Sequence, residues 1–285
     1  MKPGKQLREL AAAPGAAPVA GAVSGYAAML AAKAGLPAAY VSGGATAATK
    51  GLPDLGTVAA ADVAAVAAEI VAAVPGLPVL VDADTGFGNV LALGRSVKTI
   101  EAAGAAGLHI EDQDGSSRRC GHRPGKRLCS TAAMQDRLKA ACDARRDDSF
   151  VVMARTDAIA PEGLGAAIQR AVAYAEAGAD MIFLEGATEA AQYRAAAVAN
   201  MTEFGVTPLL GRKELAELGV ALVLYPLSAF RAMMRAGENL YQALAAEDGQ
   251  SGALDAMQTR DELYANLGYA AYEQALDASQ DEAEA

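Results

Sequence analysis

The sequence lacks several features that mark whole classes of protein. It contains only three cysteines, Cys120, Cys129 and Cys142, whose spacing fits neither a disulfide framework nor a zinc site. No apolar run approaches the ~18 residues of a membrane span. The N-terminal stretch MKPGKQLREL has no apolar core of signal-peptide length. We therefore expect a soluble protein that works in the reducing cytoplasm.

Positive charge is also scarce. The chain of 285 residues has 24 Lys and Arg against 34 Asp and Glu, which gives a net charge of −10. This balance argues against a general surface for nucleic acid or for an anionic membrane. The C-terminal stretch DASQDEAEA is acidic as well, and we expect residues 279–285 to form a disordered tail.

Short β-rich runs alternate with alanine-rich helical patterns along most of the chain. This alternation predicts a parallel sheet, and continuous apolar runs such as VVMA and LVLY are typical of strands covered on both faces. Eight such units predict a closed (β/α)8 barrel of the TIM type over residues 1–250. The predicted strands are Pro18–Ser24, Ala38–Gly44, Pro78–Asp84, Gly107–Gln113, Phe150–Asp157, Met181–Gly186, Ala197–Met201 and Ala221–Pro226. The predicted helices between them are Gly25–Gly35, Asp62–Val74, Val90–Ala103, Thr131–Arg146, Glu162–Ala177, Lys213–Leu218 and a weaker piece after Thr188.

Two helical segments, about Ser228–Ala246 and Ala253–Ala278, follow the eighth strand and exceed what a barrel needs. They carry apolar residues such as Met233 and Tyr241. A barrel closes its own core, so an additional apolar hairpin needs another partner. We expect residues 251–278 to be oligomerisation helices.

Polar residues fall where the predicted strands end. Each one alone could be a helix cap or a turn residue. Together they predict an active site, because TIM barrels build their sites at the carboxyl ends of the strands. The residues are Ser42-Gly43-Gly44, Asp82-Ala83-Asp84, Glu111-Asp112, Arg155-Thr156-Asp157, Glu185, Asn200-Met201-Thr202 and Tyr225.

Four carboxylates come from adjacent loops of this predicted face: Asp54, Asp82, Asp84 and Glu111. Without a cation between them they would repel one another. Oxygen ligands that leave room for several waters suit Mg²⁺ better than zinc or a closed calcium site. The alternative is that they cap helices and form surface salt bridges.

Cys120 lies in a loop with Arg118, Arg119, His122 and Arg123. Opposite charge stabilises a thiolate, so we expect a depressed pKa for this thiol. Cys120 is therefore a candidate acid, base or nucleophile.

Three arginines, Arg155, Arg231 and Arg260, are candidates for binding substrate carboxylates, because a guanidinium matches a carboxylate with paired hydrogen bonds. The alternative for each is a place on the surface or at the rim of the core. The Ser42-Gly43-Gly44 turn can also present backbone N–H groups to an anion.

Eight motifs occur together and in order: VSGG at 41–44, GLPDLG at 51–56, VDADTGFG at 81–88, GLHIEDQ at 107–113, RRCGHRP at 118–124, MARTDA at 153–158, NMTEFG at 200–205 and YPLSAFRAM at 225–233. With them the chain resembles the 2-methylisocitrate lyase branch of the isocitrate lyase and phosphoenolpyruvate mutase superfamily. The resemblance implies a (β/α)8 barrel, Mg²⁺ dependence, and cleavage of 2-methylisocitrate to pyruvate and succinate in propionate breakdown. It also implies a homotetramer whose subunits exchange a C-terminal helix.

The resemblance also implies roles for individual residues. Cys120 would protonate the succinate carbanion, and Tyr40 would be the base. The implied metal residues are Asp82 and Asp84, with Asp54 and Glu111 acting through water. The implied substrate-binding residues are Ser42, Gly43, Gly44, Gly121, Arg155, Glu185, Asn200, Thr202, Arg231 and Arg260.

The seventh βα unit departs from this family. Only 15 residues separate Glu185 from Asn200, whereas 30 separate Arg155 from Glu185. A βαβ unit normally takes ~30 residues or more. We therefore predict a shortened seventh unit, with at most two helical turns in Thr188–Val198 and a paired but short strand after it.

Alternatives to this activity remain open on the sequence alone. They are an isocitrate lyase, a relative that processes oxaloacetate or a phosphonate, and a barrel whose catalysis is impaired by the short seventh unit. One methyl group separates the two lyase substrates, and a pocket discriminates it by only ~1–3 kcal/mol.

Overall fold

Eight parallel strands close into a barrel in which every strand pairs with the next and β8 pairs with β1. The structure is a computed structural model that describes residues 1–246 and 249–284. The predicted TIM-type fold is confirmed, and each observed strand lies within a predicted one or extends it by one residue. The strands are β1 (Ala17–Gly21), β2 (Ala38–Val41), β3 (Val79–Asp82), β4 (Gly107–Glu111), β5 (Val151–Thr156), β6 (Met181–Leu184), β7 (Val198–Asn200) and β8 (Leu222–Tyr225).

Side chains along each strand alternate between the barrel interior and the surrounding helices. Leu80 and Met153 belong to an interior cluster to which all the strands except β4 contribute apolar side chains, whereas their neighbours pack outwards. Side chains two residues apart share a face of a strand. Asp82 and Arg155 therefore point into the mouth of the barrel, as does Glu111 on β4.

Helices surround the barrel, and every helix predicted between strands is present with ends within two residues of the prediction. Three helices were not predicted: α1, α3 and the short α7. Leu7 of α1 is fully buried in the interior cluster, so this helix closes the amino-terminal end of the barrel. The helices of this region are α1 (Pro3–Ala12), α2 (Gly25–Lys33), α3 (Gly43–Thr49), α4 (Ala60–Ala73), α5 (Val90–Ala102), α6 (Thr131–Ala144), α7 (Ile159–Glu162), α8 (Leu164–Glu176) and α9 (Arg212–Glu217).

The seventh unit is shortened, as predicted. A 3-10 helix of six residues, Ala190–Ala195, replaces the α-helix of the other units. The strand β7 has three residues and pairs with β6 only through Phe183 and Val198. Its pairing with β8 extends over all three residues, so β8 fixes its register.

The chain divides into two units, Met1–Phe230 and Arg231–Ala285, whereas the sequence predicted a boundary at residue 250. Helix α10 (Ser228–Ala246) has the predicted limits. The predicted segment Ala253–Ala278 consists of a 3-10 helix (Ser251–Ala256), α11 (Arg260–Leu267) and the start of α12 (Tyr269–Glu284). The stretch predicted as a disordered tail is thus helical to residue 284, and residue 285 lies outside the described residues.

Within the described ranges, no helix has both the length and the apolar character needed to cross a membrane.

Candidate active site

The four predicted carboxylates come together at the carboxyl ends of β2, β3 and β4. We refer to Asp54, Asp82, Asp84 and Glu111 as the carboxylate cluster. Asp82 ends β3, and Asp84 turns back towards it through a left-handed backbone conformation with φ 46°. The Asp84 N–H donates to Asp82 Oδ1 over 3.0 Å, which holds the two side chains side by side.

Arg118 of the cysteine loop, which we define as residues 118–125, lies among these carboxylates. Its Nε donates to Glu111 Oε1 at 2.9 Å, and its Nη2 lies 2.7 Å from Asp84 Oδ1. Its Nη1 donates to Asp54. One guanidinium thus contacts three of the four acids and links the loop to the cluster.

Positive charge does not balance negative charge in the cluster. Burial raises the pKa of Glu111 to about 7, although Arg155 and Arg118 lower it. Burial and the neighbouring Asp82 carboxylate raise the pKa of Asp84 well above its usual range. Glu111 Oε2 and Asp84 Oδ1 are buried without a hydrogen bond of good geometry. The cluster can therefore accept further positive charge.

The donor set suits a hard cation such as Mg²⁺, because it consists of carboxylate oxygens, two of which have an arginine ion pair but no hydrogen bond of good geometry. In the part of the chain that the structure describes, no three side chains converge as ligands of one ion. Arg118 lies between the acids, so a cation and this guanidinium would compete for the same oxygens. A cavity of about 530 Å³ bounded by Asp84, Thr85 and Arg118 adjoins the cluster.

The Ser42-Gly43-Gly44 segment begins α3 beside the carboxylate cluster. Ser42 Oγ accepts from the Ala45 N–H, and the Gly43 N–H donates to Asp82 Oδ2 at 3.1 Å. A Cβ added to Gly44 would lie 3.0 Å from Asp54 Oδ2. This segment therefore packs closely on the acids, with the Ser42 hydroxyl and the Gly43 N–H already hydrogen-bonded within the protein.

A second group of charges lies under the cysteine loop; we call Lys126, Arg155, Asp157 and Glu185 the paired cluster. Arg155 donates from Nε and Nη2 to the two oxygens of Asp157 at 3.0 and 3.1 Å, and its Nη1 lies 3.5 Å from Glu185 Oε2. Burial alone would raise the pKa of Asp157, but Arg155 and Lys126 lower it, so Asp157 is an anion. The remaining donors of Arg155 can receive a substrate carboxylate.

The cysteine loop lies directly on the paired cluster at Gly121. A Cβ added there would come within 2.4 Å of Arg155 Nη2 and 2.6 Å of Glu185 Cγ. Only glycine fits this contact, which places the neighbouring Cys120 at the same mouth of the barrel as Arg155. The structure thus brings together the loop and the strand ends that the sequence singled out.

The predicted depression of the Cys120 pKa is wrong. Burial raises the pKa of this thiol, and its lowering by the His122 backbone and by Arg155 does not compensate. Two of the flanking arginines are directed elsewhere: Arg118 to the carboxylate cluster and Arg119 to the Pro124 carbonyl. A thiol with a raised pKa remains protonated at neutral pH and suits a proton donor better than a nucleophile.

Tyr40 is buried in the barrel, and its hydroxyl lies 2.7 Å from His109 Nε2. Burial, followed by the Asp82 charge, raises the pKa of Tyr40 well above its usual value, and burial lowers that of His109 to about 4. The pair is thus neutral. Tyr40 can act as a base only if its own proton passes to His109.

The short seventh unit places Asn200 and Thr202 at the site. Asn200 Nδ2 donates to Glu185 Oε2 at 3.1 Å, and the Thr202 hydroxyl donates to Asn200 Oδ1 at 2.6 Å. His122 also reaches this region, since its Nε2 lies 3.4 Å from Glu185 Oε1. The segment after Thr202 packs on His122, because a Cβ at Gly205 would lie 2.4 Å from its Nδ1.

Arg231 and Arg260 belong to the second unit, where Arg231 lies in α10 and Arg260 begins α11. Their roles in substrate binding remain predictions.

Sequence reasoning did not single out Lys126 or His122 as site residues, and it noted Asp157 only as one of several polar residues at strand ends. Asp157 had a usable signal, since it follows a buried arginine that needs a counter-ion. Lys126 had none, because it contacts Asp157 from 31 residues away in an unpatterned loop.

Comparisons with known proteins agree with this geometry. The profile of the family described as phosphoenolpyruvate phosphomutase matches residues 7–245. A 2-methylisocitrate lyase of Salmonella typhimurium is 50% identical over 285 residues, covering 97% of this chain and 96% of that protein. The chain belongs to the phosphoenolpyruvate phosphomutase family. The resemblance drawn from the motifs is therefore confirmed.

Solved structures of related proteins have the same fold. A 2,3-dimethylmalate lyase, itself a member of the same superfamily, aligns with a TM-score of 0.89 and 32% identity, covering 98% of this chain and 96% of that one. A phosphonopyruvate hydrolase solved with oxalate and Mg²⁺ aligns with a TM-score of 0.86 and 26% identity, covering 98% and 99% of the two chains. Proteins with different reactions thus share this barrel fold.

Proposed function

We propose that this protein is a Mg²⁺-dependent carbon–carbon lyase that cleaves 2-methylisocitrate to pyruvate and succinate, a step of propionate breakdown. The observation that carries the proposal is the position of the Cys120 loop, which lies on Arg155 and Glu185 at the same barrel mouth as the carboxylate cluster. The 50% identity to a 2-methylisocitrate lyase over nearly the whole chain supports the choice of substrate.

The carboxylate cluster would hold the cation through Asp82 and Asp84, with Asp54 and Glu111 acting through water. The phosphonopyruvate hydrolase structure with Mg²⁺ supports this choice of metal. When bound, Mg²⁺ supplies positive charge for the oxyanions that develop during the cleavage. Arg118 must then leave the cluster, and it can do so into the adjacent cavity.

The reaction is a retro-aldol cleavage in which one proton moves from oxygen to carbon. The substrate hydroxyl gives up its proton, the bond between the carbinol carbon and the neighbouring carbon breaks, and the electron pair remains on the succinate fragment. Cys120 then protonates that carbon, which agrees with a thiol whose pKa is raised. Tyr40 is the proposed base, and its hydroxyl lies 2.7 Å from His109 Nε2.

Arg155 is proposed to bind a substrate carboxylate with the donors that Asp157 leaves open. Glu185, Asn200 and Thr202 complete the pocket and orient the substrate through hydrogen bonds. Ser42, Gly43, Gly44 and Gly121 border it, and Arg231 and Arg260 are proposed to bind substrate as well.

A homotetramer with exchanged C-terminal helices is the proposed assembly. Support comes from the apolar side chains that the second unit leaves exposed, including Met234, Tyr241 and Tyr272. The proposed location is the cytoplasm, where the three free cysteines stay reduced.

A comparison of two substrates tests the function. Purified protein with Mg²⁺ is expected to cleave 2-methylisocitrate at least tenfold more efficiently than isocitrate, and excess chelator is expected to abolish both reactions until Mg²⁺ is restored. A preference for isocitrate would reassign the substrate, and full activity in chelator would reject the metal-dependent chemistry.

A further inference from the structure

Lys126 lies immediately after the cysteine loop, and its side chain is buried between the loop and the paired cluster. Its Nζ donates to the Gly121 carbonyl at 2.6 Å and to Asp157 Oδ1 at 2.9 Å. A lysine is seldom buried in this way unless its ammonium is paired and hydrogen-bonded. Here the pairing joins the glycine-containing cysteine loop to Asp157 at the end of β5.

Neutralisation of Asp157 alone does not account for this lysine. Arg155 already contacts both oxygens of Asp157. The contact of Lys126 with the Gly121 carbonyl is the shorter of its two hydrogen bonds. The ammonium is therefore shared between an anion that already has a partner and a loop carbonyl that accepts from no other donor among the described residues.

The peptide that Lys126 contacts lies one residue after Cys120 in the cysteine loop. The Gly121 carbonyl and the His122 N–H belong to a single planar peptide group. The same N–H lowers the pKa of the Cys120 thiol, and Gly121 itself lies against Arg155 and Glu185. A cation on the carbonyl fixes the plane of the peptide and strengthens its N–H as a donor.

The other side of Cys120 is held as well. The Gln113 side chain donates to the Arg119 carbonyl at 2.8 Å and accepts from the Arg119 N–H at 2.9 Å. The Cys120 backbone thus lies between two fixed peptides, one clamped by Gln113 and one by Lys126. Gln113 follows β4, and Lys126 hydrogen-bonds to Asp157, which follows β5.

We propose that Lys126 is a positioning residue that orients the Cys120 thiol through the Gly121–His122 peptide. The proposal rests on the proposed function in that Cys120 is the proton donor there. Lys126 does not touch the substrate; it holds the loop backbone next to the residue that carries the thiol. Asp157 hydrogen-bonds to both Lys126 and Arg155. The positions of the thiol and of the Arg155 side chain therefore both depend on Asp157.

Two variants at this position test the proposal. Lys126→Met keeps the length of the side chain but removes the charge and the donors, whereas Lys126→Arg retains both. Lys139→Met, at an exposed lysine of α6, is the matched control. Asp157 keeps its two bonds to Arg155 in each variant, so the fold should persist, and the melting temperature checks this.

The first readout is alkylation of Cys120 by iodoacetamide, followed by peptide mass spectrometry from pH 6 to 10. The groups that face this thiol are Asp54, Arg155, Glu185 and the His122 backbone. With Lys126→Met the plateau rate at high pH should rise at least fivefold for Cys120, while the Cys129 and Cys142 rates stay unchanged. The control and Lys126→Arg should resemble the wild type.

The second readout is turnover of 2-methylisocitrate. For Lys126→Met we expect kcat to fall about 10- to 100-fold with KM changed less than threefold, and Lys126→Arg to recover most of kcat. Unchanged Cys120 alkylation in a folded Lys126→Met protein would overturn the proposal. If the wild type proves not to cleave this substrate, the proposed function fails, but the alkylation experiment still decides the role of Lys126.

Discussion

The carboxylate cluster and the paired cluster lie at the same mouth of the barrel but differ in how far their negative charges are balanced by positive side chains. The paired cluster has two anions and two cations, and Arg155 and Lys126 both hydrogen-bond to Asp157. The carboxylate cluster has four acids, of which three contact the guanidinium of Arg118. Glu111 Oε2 also lies 3.4 Å from Arg155 Nε, and two oxygens of the cluster lack a good hydrogen bond.

This difference separates two functions of buried charge. A balanced group with fixed hydrogen bonds is preorganised, so it can position a loop and receive a substrate at little cost of reorganisation. An unbalanced group stays costly until positive charge is added, which is why a cation site is proposed there. The cysteine loop connects the two, because Arg118 enters the first and Gly121 lies on the second.

The largest effect is expected for Cys120→Ser, which should lower kcat about 10²- to 10⁴-fold because a hydroxyl is a far weaker acid than a thiol. The change leaves the carboxylate cluster intact, so the rise in melting temperature on adding Mg²⁺ should match that of the wild type. Cys129→Ser, at another partly buried free cysteine, is the control and should keep kcat within about twofold. Near-normal turnover by Cys120→Ser would remove this residue from the proton transfer.

A smaller effect, on stability, is expected from Glu111, whose pKa is raised from 4.5 to about 7 by burial. The folded state then binds a proton that the unfolded state has released, so this group costs stability as pH rises from about 4.5 to 7. A shift of this size amounts to about 3 kcal/mol. Glu111→Gln keeps an acceptor for Arg118 and removes the titration. We therefore compare the free energies of unfolding of Glu111→Gln and wild type, measured with urea in chelator. The advantage of the variant over the wild type should be about 3 kcal/mol larger at pH 8 than at pH 4.5.

Repeating the unfolding measurement with Mg²⁺ in place of chelator provides a second test. A bound cation lowers the pKa of the acids around it, so the difference between wild type and Glu111→Gln should shrink when Mg²⁺ replaces the chelator. The exposed carboxylate of Glu217 in α9 provides the control, and Glu217→Gln should follow the wild type at every pH. Parallel curves for Glu111→Gln and wild type in chelator would mean that the cluster is not short of positive charge.

Most of the fold could be predicted from the sequence, because alternation of strands and helices and the continuous apolar runs determine a closed parallel barrel. The position of Asp82 and Arg155 at its mouth follows from the same alternation. Helix α3 was not predicted because it begins with two glycines, which favour turns over helices. Helix α1 was not predicted because its role, closure of the barrel, depends on a tertiary contact of Leu7.

The chemistry of the site was predicted less completely. The identity of the acids could be read from the motifs, whereas the pKa of Cys120 could not. Counting nearby arginines overlooks which acceptors they contact, and here burial outweighs the charge that remains. The hydrogen bond of Lys126 to Gly121 likewise depends on the conformation of a loop, which carries no periodic signal.

The smallest effect is expected at the edge of the paired cluster, where β7 places Asn200 against Glu185. This strand pairs with β6 at one position only, so β8 determines where Asn200 lies. Asn200→Ala removes a hydrogen bond to a buried carboxylate, worth about 1.5–3 kcal/mol, and should raise KM about tenfold with a lesser change in kcat. Thr202→Val removes the donor to Asn200 Oδ1 and should have a weaker effect.

Because Asn200 and Thr202 bond to each other, the double variant should lose less than the sum of the two single losses. Additive effects would mean that each residue contacts the substrate independently. No effect from either change would mean that the shortened unit does not hold β7 in the register described. The double-mutant cycle thus measures whether a barrel unit with one 3-10 helix and three strand residues still positions a side chain for catalysis.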